Sequence, residues 1–196
     1  HGIKTDSIAG LDATEESFRN LSNNTSNIIH ISTHGFYRDS TLTEWTYIYP
    51  QTKPSHLNSM NRSALVMADA NPVWNGEEKR SQSDDGILTA SEIAELDLSK
   101  CSIVLLGACE TGLGMPNMNE GVDGLQRGFK LAGAQTVIMS LWSVNDKAES
   151  EFVSIFYYKL FNVGLEKHIA FREAQLELKQ KYPRNPFKWA YFVMLD

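Results

Sequence analysis

Two runs constrain the fold of this chain more than any other feature. Ser102 to Gly107 (SIVLLG) and Thr136 to Leu141 (TVIMSL) are apolar almost throughout rather than alternating, the pattern of strands buried on both faces. Between them, Val122, Leu125, Phe129 and Ala132 recur at helical spacing, which predicts a helix from about Glu120 to Ala132 with Gly133 placed to end it. A strand, a crossover helix and a second strand of these lengths return the chain to the same sheet direction. The segment therefore predicts a mainly parallel sheet with helices on both faces, an α/β fold.

Other segments fit that frame. Ile28 to Thr33 reads as a further strand, with His34 and Gly35 at its exit. Ser7 to Leu11 reads as a short edge strand, and Asp12 with Glu15 as a capping box opening a helix through Phe18 and Leu21. Ala64 to Asp69 and Gly86 to Leu88 bracket a polar insertion, NPVWNGEEKRSQSDD, which predicts a small hairpin arm with an exposed tip. Thr89 and Glu92 form a second capping box, ahead of a helix burying Ala90, Ile93 and Ala94. Asp146 with Glu149 caps a helix that turns Phe152, Ile155, Phe156 and Leu160 inward. After Gly164, a helix over about Leu165 to Lys181 turns Phe171, Ala174, Leu178 and Tyr182 to one side, and Pro183 and Pro186 stop it. Trp189 to Leu195 reads as the closing strand. From Phe36 to Ser63 periodicity is lost and Trp45, Tyr47 and Tyr49 collect, which suits a substrate-facing loop and suits plain loop packing equally well.

Composition narrows the function classes. The 196 residues, 42% hydrophobic, suit one domain with a sizeable core. A net charge of -6 with scattered Lys and Arg argues against a nucleic-acid groove or an anionic membrane surface, and favours a neutral or basic polypeptide partner. No apolar run reaches membrane-spanning length, and no signal-peptide pattern opens the chain. Two cysteines, Cys101 and Cys109, cannot build a disulfide framework or a zinc quartet, and reduced thiols fit a cytoplasmic setting. The first periodic element follows His1 almost at once, as expected of the C-terminal part of something longer.

Two segments carry chemistry. HISTHG (His30 to Gly35) and LLGACETGLG (Leu105 to Gly114) each set a reactive side chain just past a strand-like run. Groups at the carboxyl ends of adjacent parallel strands share one crevice, so Cys109 can act as a nucleophile with His34 as its base. A thiol near neutral pH is only a few per cent thiolate and needs such a partner. The backbone N–H groups of Gly35 and Cys109 are placed in sequence to hold a tetrahedral oxyanion. Packing is the competing reading for Cys109 and the leading one for Cys101. His30 belongs to its strand and is expected in a polar core niche, while His1, His56 and His168 read as surface residues. His30 and His34 show an HxxxH spacing, but Ile31 stands where a zinc protease has glutamate, and the run favours strand. GxSxG, GxxxxGK[ST] and GxGxxG are all lacking, and no metal or other cofactor is expected.

Taken together, HISTHG, DGILTASEIAELDLS, LLGACETGLG, EGVDGLQRGFKLAGAQTVIMSLWSVND and WAYFVML resemble the CHAT domain, a caspase-like family of cysteine peptidases, across nearly the whole chain. The resemblance implies a three-layer α/β/α sandwich, clan CD peptide hydrolysis, His34 as dyad histidine and Cys109 as nucleophile. It also implies larger bacterial proteins in which helical repeats such as TPRs precede this domain. Trp142 and Asp146 match positions that build the S1 pocket, and an acidic pocket would prefer Lys or Arg at P1. Asp146 equally fits a helix cap. An acidic S1 would make Lys79 and Arg80, in the insertion, a self-processing site. A catalytically silent CHAT module acting as a protein-binding scaffold is the alternative, and acyl transfer to another acceptor is a third reading.

Overall fold

Ile103–Leu106 (β5) is buried at every residue because strands and helices enclose it on all sides. In the computed structural model, which describes residues 3–22, 26–37, 59–71, 84–107, 118–142 and 146–196, it lies inside a four-stranded sheet. The order is β1 (Ile28–Ile31), β5, β6 (Val137–Ser140), β7 (Phe192–Leu195). β1 and β6 run parallel to β5, with Ile28 opposite Ile103 and Val104 opposite Val137, and β7 closes the edge antiparallel to β6. The expected mainly parallel sheet is present.

Alternation along β5 divides the interior into two cores. Val104 and Leu106 pack with Phe18, Ile93, Leu125 and Phe129. Those partners come from α1 (Glu15–Arg19), α3 (Ala90–Ala94) and α4 (Met118–Leu131), with Met60 of α2 (Ser59–Arg62) alongside. Ile103 and Leu105 face the opposite way, onto Phe152 and Phe156 of α5 (Asp146–Tyr157), Phe171 and Leu178 of α6 (Lys167–Lys181), and Tyr191 and Phe192. Helix layers on both faces of the sheet make an α/β/α sandwich. The second core is largely aromatic: Phe152 alone meets the rings of Phe156, Phe171, Tyr191 and Phe192 at centroid distances of 4.6 to 6.1 Å.

A second, antiparallel sheet holds β2 (Gly35–Tyr37), β3 (Ser63–Val66) and β4 (Ile87–Thr89), so the hairpin read from the apolar runs is there. The insertion tip, Lys79, Arg80, Trp45, Tyr47, Tyr49, His1 and His56 lie outside the described residues. The Thr89 capping box forms as read: Thr89 Oγ1 accepts from the Glu92 N–H at 3.2 Å, and Glu92 Oε2 accepts from the Thr89 N–H at 2.8 Å.

Three expectations are corrected. Ser7 to Leu11 forms no strand; Gly10–Asp12 is a 3₁₀ turn entered at Gly10 with φ +62°, outside the range of a strand. The cap of α1 is Thr14, whose Oγ1 accepts from the Ser17 N–H at 3.1 Å, and not Asp12, because Glu15 is engaged elsewhere. The closing strand starts at Phe192 rather than Trp189, since Pro186–Lys188 coils into a 3₁₀ turn first. In addition, α5 passes into a π-helical segment, Tyr158–Asn162, which the spacing of apolar residues did not announce.

Candidate active site

The parallel ladder between β1 and β5 ends on one rung. The Gly107 N–H donates to the Ile31 carbonyl at 2.8 Å, so the two strands finish side by side at the same edge. From that rung the chain continues three residues to His34 on one side and two residues to Cys109 on the other. Cys109 lies outside the described residues.

His34 is exposed, and its backbone is fixed between the two sheets. The Val66 N–H donates to the His34 carbonyl at 2.8 Å, and the Thr33 hydroxyl donates to the Val66 carbonyl. That bond makes His34 and Val66 a hydrogen-bonded pair of the antiparallel ladder, so by alternation Gly35 and Leu65, next in register, form a non-hydrogen-bonded pair. The Gly35 N–H therefore points away from β3. This leaves it uncommitted to the ladder at the residue directly after His34.

His30 departs from expectation. It sits on β1 and is exposed, with its ring edge-on to Tyr157 at 5.8 Å, rather than in a polar niche. His168 is on the surface as read, 3.3 Å from Asp196. Cys101 packs, as read, just before β5 and at the opposite end of that strand from Gly107. Its Sγ contacts the Ile103 carbonyl at 3.1 Å, and burial pushes the thiol above its ordinary range, which keeps it inert. Among the described residues no group of three His, Cys, Asp or Glu side chains is disposed to hold a metal ion.

The two residues read as pocket candidates occupy different settings. Trp142, just past β6, is half-buried; it meets the Phe187 ring at 5.4 Å and its indole N–H donates to the Phe187 carbonyl at 3.4 Å. Asp146 is the first residue of α5 and is exposed. The residue that reaches the exit of β5 is Glu149, one turn further along. Its carboxylate occupies the space that a Cβ on Gly107 would fill, so glycine there is what lets the carboxylate approach the strand. Glu149 is half-buried, and burial, with Asp146 adding repulsion, holds its carboxyl above the ordinary range. Sequence reading assigned Glu149 only a capping role; the absent side chain at residue 107 was the available signal.

The helix carrying Glu149 is firmly placed. The Tyr191 hydroxyl donates to the Ala148 carbonyl at 2.6 Å, and the Leu141 N–H donates to the Tyr191 carbonyl at 2.7 Å. The end of β6 and the first turn of α5 are thus tied to one buried tyrosine.

With this geometry in view, comparison with known proteins is informative. Residues 4–196 match the CHAT domain. Over 110 residues the chain is 34% identical to tetratricopeptide repeat protein 28 of Homo sapiens, covering 56% of this chain and 4% of that protein. Over 178 residues it is 30% identical to tetratricopeptide repeat protein 28 of Mus musculus, covering 85% of this chain and 7% of that protein. The chain thus spans less than a tenth of either relative, and both relatives are mammalian rather than bacterial.

Proposed function

Because the chain belongs to the CHAT domain family, a caspase-like family, we propose that it is a cysteine endopeptidase acting on specific protein substrates, with Cys109 as nucleophile and His34 as its base. The observation that carries this reading is the shared last rung of β1 and β5, which starts both reactive segments from one edge of the sheet. His34 takes the thiol proton, and the thiolate attacks the scissile carbonyl carbon. The oxyanion is held by backbone N–H groups, for which the outward N–H of Gly35 is one candidate and that of Cys109 the other. His34 then returns its proton to the leaving amine, and water, deprotonated by His34, hydrolyses the thioester. No cofactor takes part in these steps.

A helical-repeat region in the same protein is the partner favoured by the names of both relatives. Two cysteines without a disulfide framework favour a reducing, cytoplasmic setting. Among the described residues no helix is long and apolar enough to cross a membrane. Cleavage of a peptide library by wild type, Cys109→Ala and His34→Ala tests the mechanism. Cleavage is expected from wild type alone, and cleavage persisting in Cys109→Ala would rule it out.

A further inference from the structure

Charge is not spread evenly over this acidic chain. Residues 179–189, KQKYPRNPFKW, hold four cations, three aromatic rings and no acid, in a chain whose formal charge is -6. The stretch runs from the last turn of α6 through the 3₁₀ turn Pro186–Lys188 to the threshold of β7. Lys179 and Lys181 suit the negative end of the α6 dipole, but Arg184 and Lys188 lie beyond the helix, where no dipole calls for them.

Aromatic rings hold these cations in place without neutralising them. The Lys188 ammonium lies 4.5 Å from the Tyr182 ring centroid and that of Lys181 5.4 Å from the same ring, while Lys179 stands 5.1 Å from the Trp189 ring. Two carboxylates flank the stretch, and both are committed. Glu151 pairs with Lys181 and accepts from the Tyr182 hydroxyl at 2.9 Å, and Glu177 pairs with Lys159 at 3.0 Å. Among the described residues no ion pair engages Lys179, Arg184 or Lys188. Against Lys179, the Trp189 indole N–H is buried and has no acceptor among the described residues, a donor that this part of the fold leaves unmet. Beside them Phe187 is 69% exposed, its carbonyl held by the Trp142 indole N–H and its ring supported edge-on by Trp142 at 5.4 Å.

The surface stands at a defined place. Phe192 is opposite Ser140 in the antiparallel ladder, and the Leu141 N–H donates to the Tyr191 carbonyl, so the segment entering β7 rises at the end of the sheet where β6 leaves it. Because β1, β5 and β6 are parallel, this is the end at which β1 and β5 also exit. Ligands of open α/β sheets bind along that edge.

We propose that residues 179–189, with Trp142, form a docking surface for an acidic stretch of a partner polypeptide that also carries an apolar or aromatic side chain. Its carboxylates meet Lys179, Arg184 and Lys188, and its apolar side chain covers Phe187. Charge complementarity selects the partner: the rest of an acidic chain repels a long polyanion such as a nucleic acid, whereas a short acidic stretch in a polypeptide meets only the basic surface. The inference goes beyond the peptidase reading and does not depend on it.

The test is fluorescence anisotropy with the full chain carrying Cys109→Ala, so that cleavage plays no part. The probes are a labelled short peptide of Asp and Glu with one central Phe, a Lys-rich peptide of the same length, and a single-stranded RNA of the same length. The acidic peptide alone is expected to bind, and more weakly as salt is raised. Lys188→Glu should weaken it roughly threefold to tenfold, Lys179→Glu with Lys188→Glu roughly 10- to 100-fold, and Phe187→Ala about threefold. Lys100→Glu makes the same charge change at an exposed position at the opposite end of β5, and should leave binding within about twofold. Thermal unfolding reports the fold of each variant, and Lys188→Gln, expected to weaken binding about threefold, serves if Lys188→Glu does not fold. Equal losses in Lys188→Glu and Lys100→Glu, no binding of the acidic peptide by the folded chain, or tighter binding of the RNA would each overturn the proposal. None of these results bears on cleavage by Cys109, which stands or falls by its own test.

Discussion

Two carboxylates, Glu15 and Glu149, sit at opposite ends of a scale. Glu15, on α1, is buried at the base of the hairpin arm, and its Oε1 accepts from the N–H groups of Asp85, Gly86 and Ile87 at 2.8, 2.7 and 3.2 Å. Its Oε2 pairs with Arg19, which also reaches Glu92 at 3.2 Å. Gly86 adopts φ +78° with the Ala70 backbone where a Cβ would go, so the chain can offer three successive donors to one oxygen only because residue 86 is glycine. Glu149 also lies over a glycine, yet the described structure provides it no donor. A buried acid surrounded by donors fastens a fold together. A half-buried acid without them does not.

The contrast can be broken from either side. Replacing Glu15 by Ala leaves three N–H groups without their acceptor and Arg19 without its buried partner, so chemical denaturation should register a loss of roughly 3 to 5 kcal/mol. A loss under 1 kcal/mol would mean that water replaces the carboxylate and that the hairpin base is not clamped.

The pH profile should show the next largest effect. Burial, reinforced by Glu92, pushes the Glu15 carboxyl from 4.5 up to about 7 against the pull of Arg19. Between those values the folded state holds a proton that the unfolded chain releases. Glu15 therefore contributes stability fully present below about 4.5 and lost as pH rises through about 7, a decline on the order of 3 kcal/mol. Unfolding of wild type beside Glu15→Gln from pH 4 to 8 checks this; parallel curves would remove the assignment. Glu149, raised by burial as well, adds a slope of the same sign, and its removal should flatten what remains.

Smallest in stability is Gly107→Ala. Its new Cβ meets only the end of the Glu149 side chain, which can swing aside at a cost of about 1 kcal/mol. Adding Glu149→Ala should return the unfolding midpoint to that of Glu149→Ala alone. Failure of that rescue would show that residue 107 is glycine for a backbone reason and not for the carboxylate.

How much of this could be read from sequence depends on the distance over which each signal acts. β5 and β6 were legible because a strand buried on both faces writes its own apolar run, and the Thr89 capping box because its partner lies three residues away. Ser7 to Leu11 misled because alternation alone cannot register that Gly10 takes φ +62°. Glu15 and Glu149 look alike as first-turn acids near a cap, and only contacts with residues 85–87 and 107 separate them, contacts between segments 70 and 42 positions apart at their closest. His34 and Gly35 were singled out by their place after a strand run; the direction of the Gly35 N–H needed the register with Leu65.

The central claim, that the imidazole of His34 activates the thiol of Cys109, is tested most directly by the pH dependence of alkylation at Cys109, followed by mass spectrometry in wild type and His34→Ala. The account predicts a wild-type inflection well below the ordinary thiol value of about 8.5, a return toward about 8.5 in His34→Ala, and no labelling of Cys101 until the chain unfolds. Identical profiles for Cys109 in both proteins, with the inflection at or above about 8.5, would contradict it.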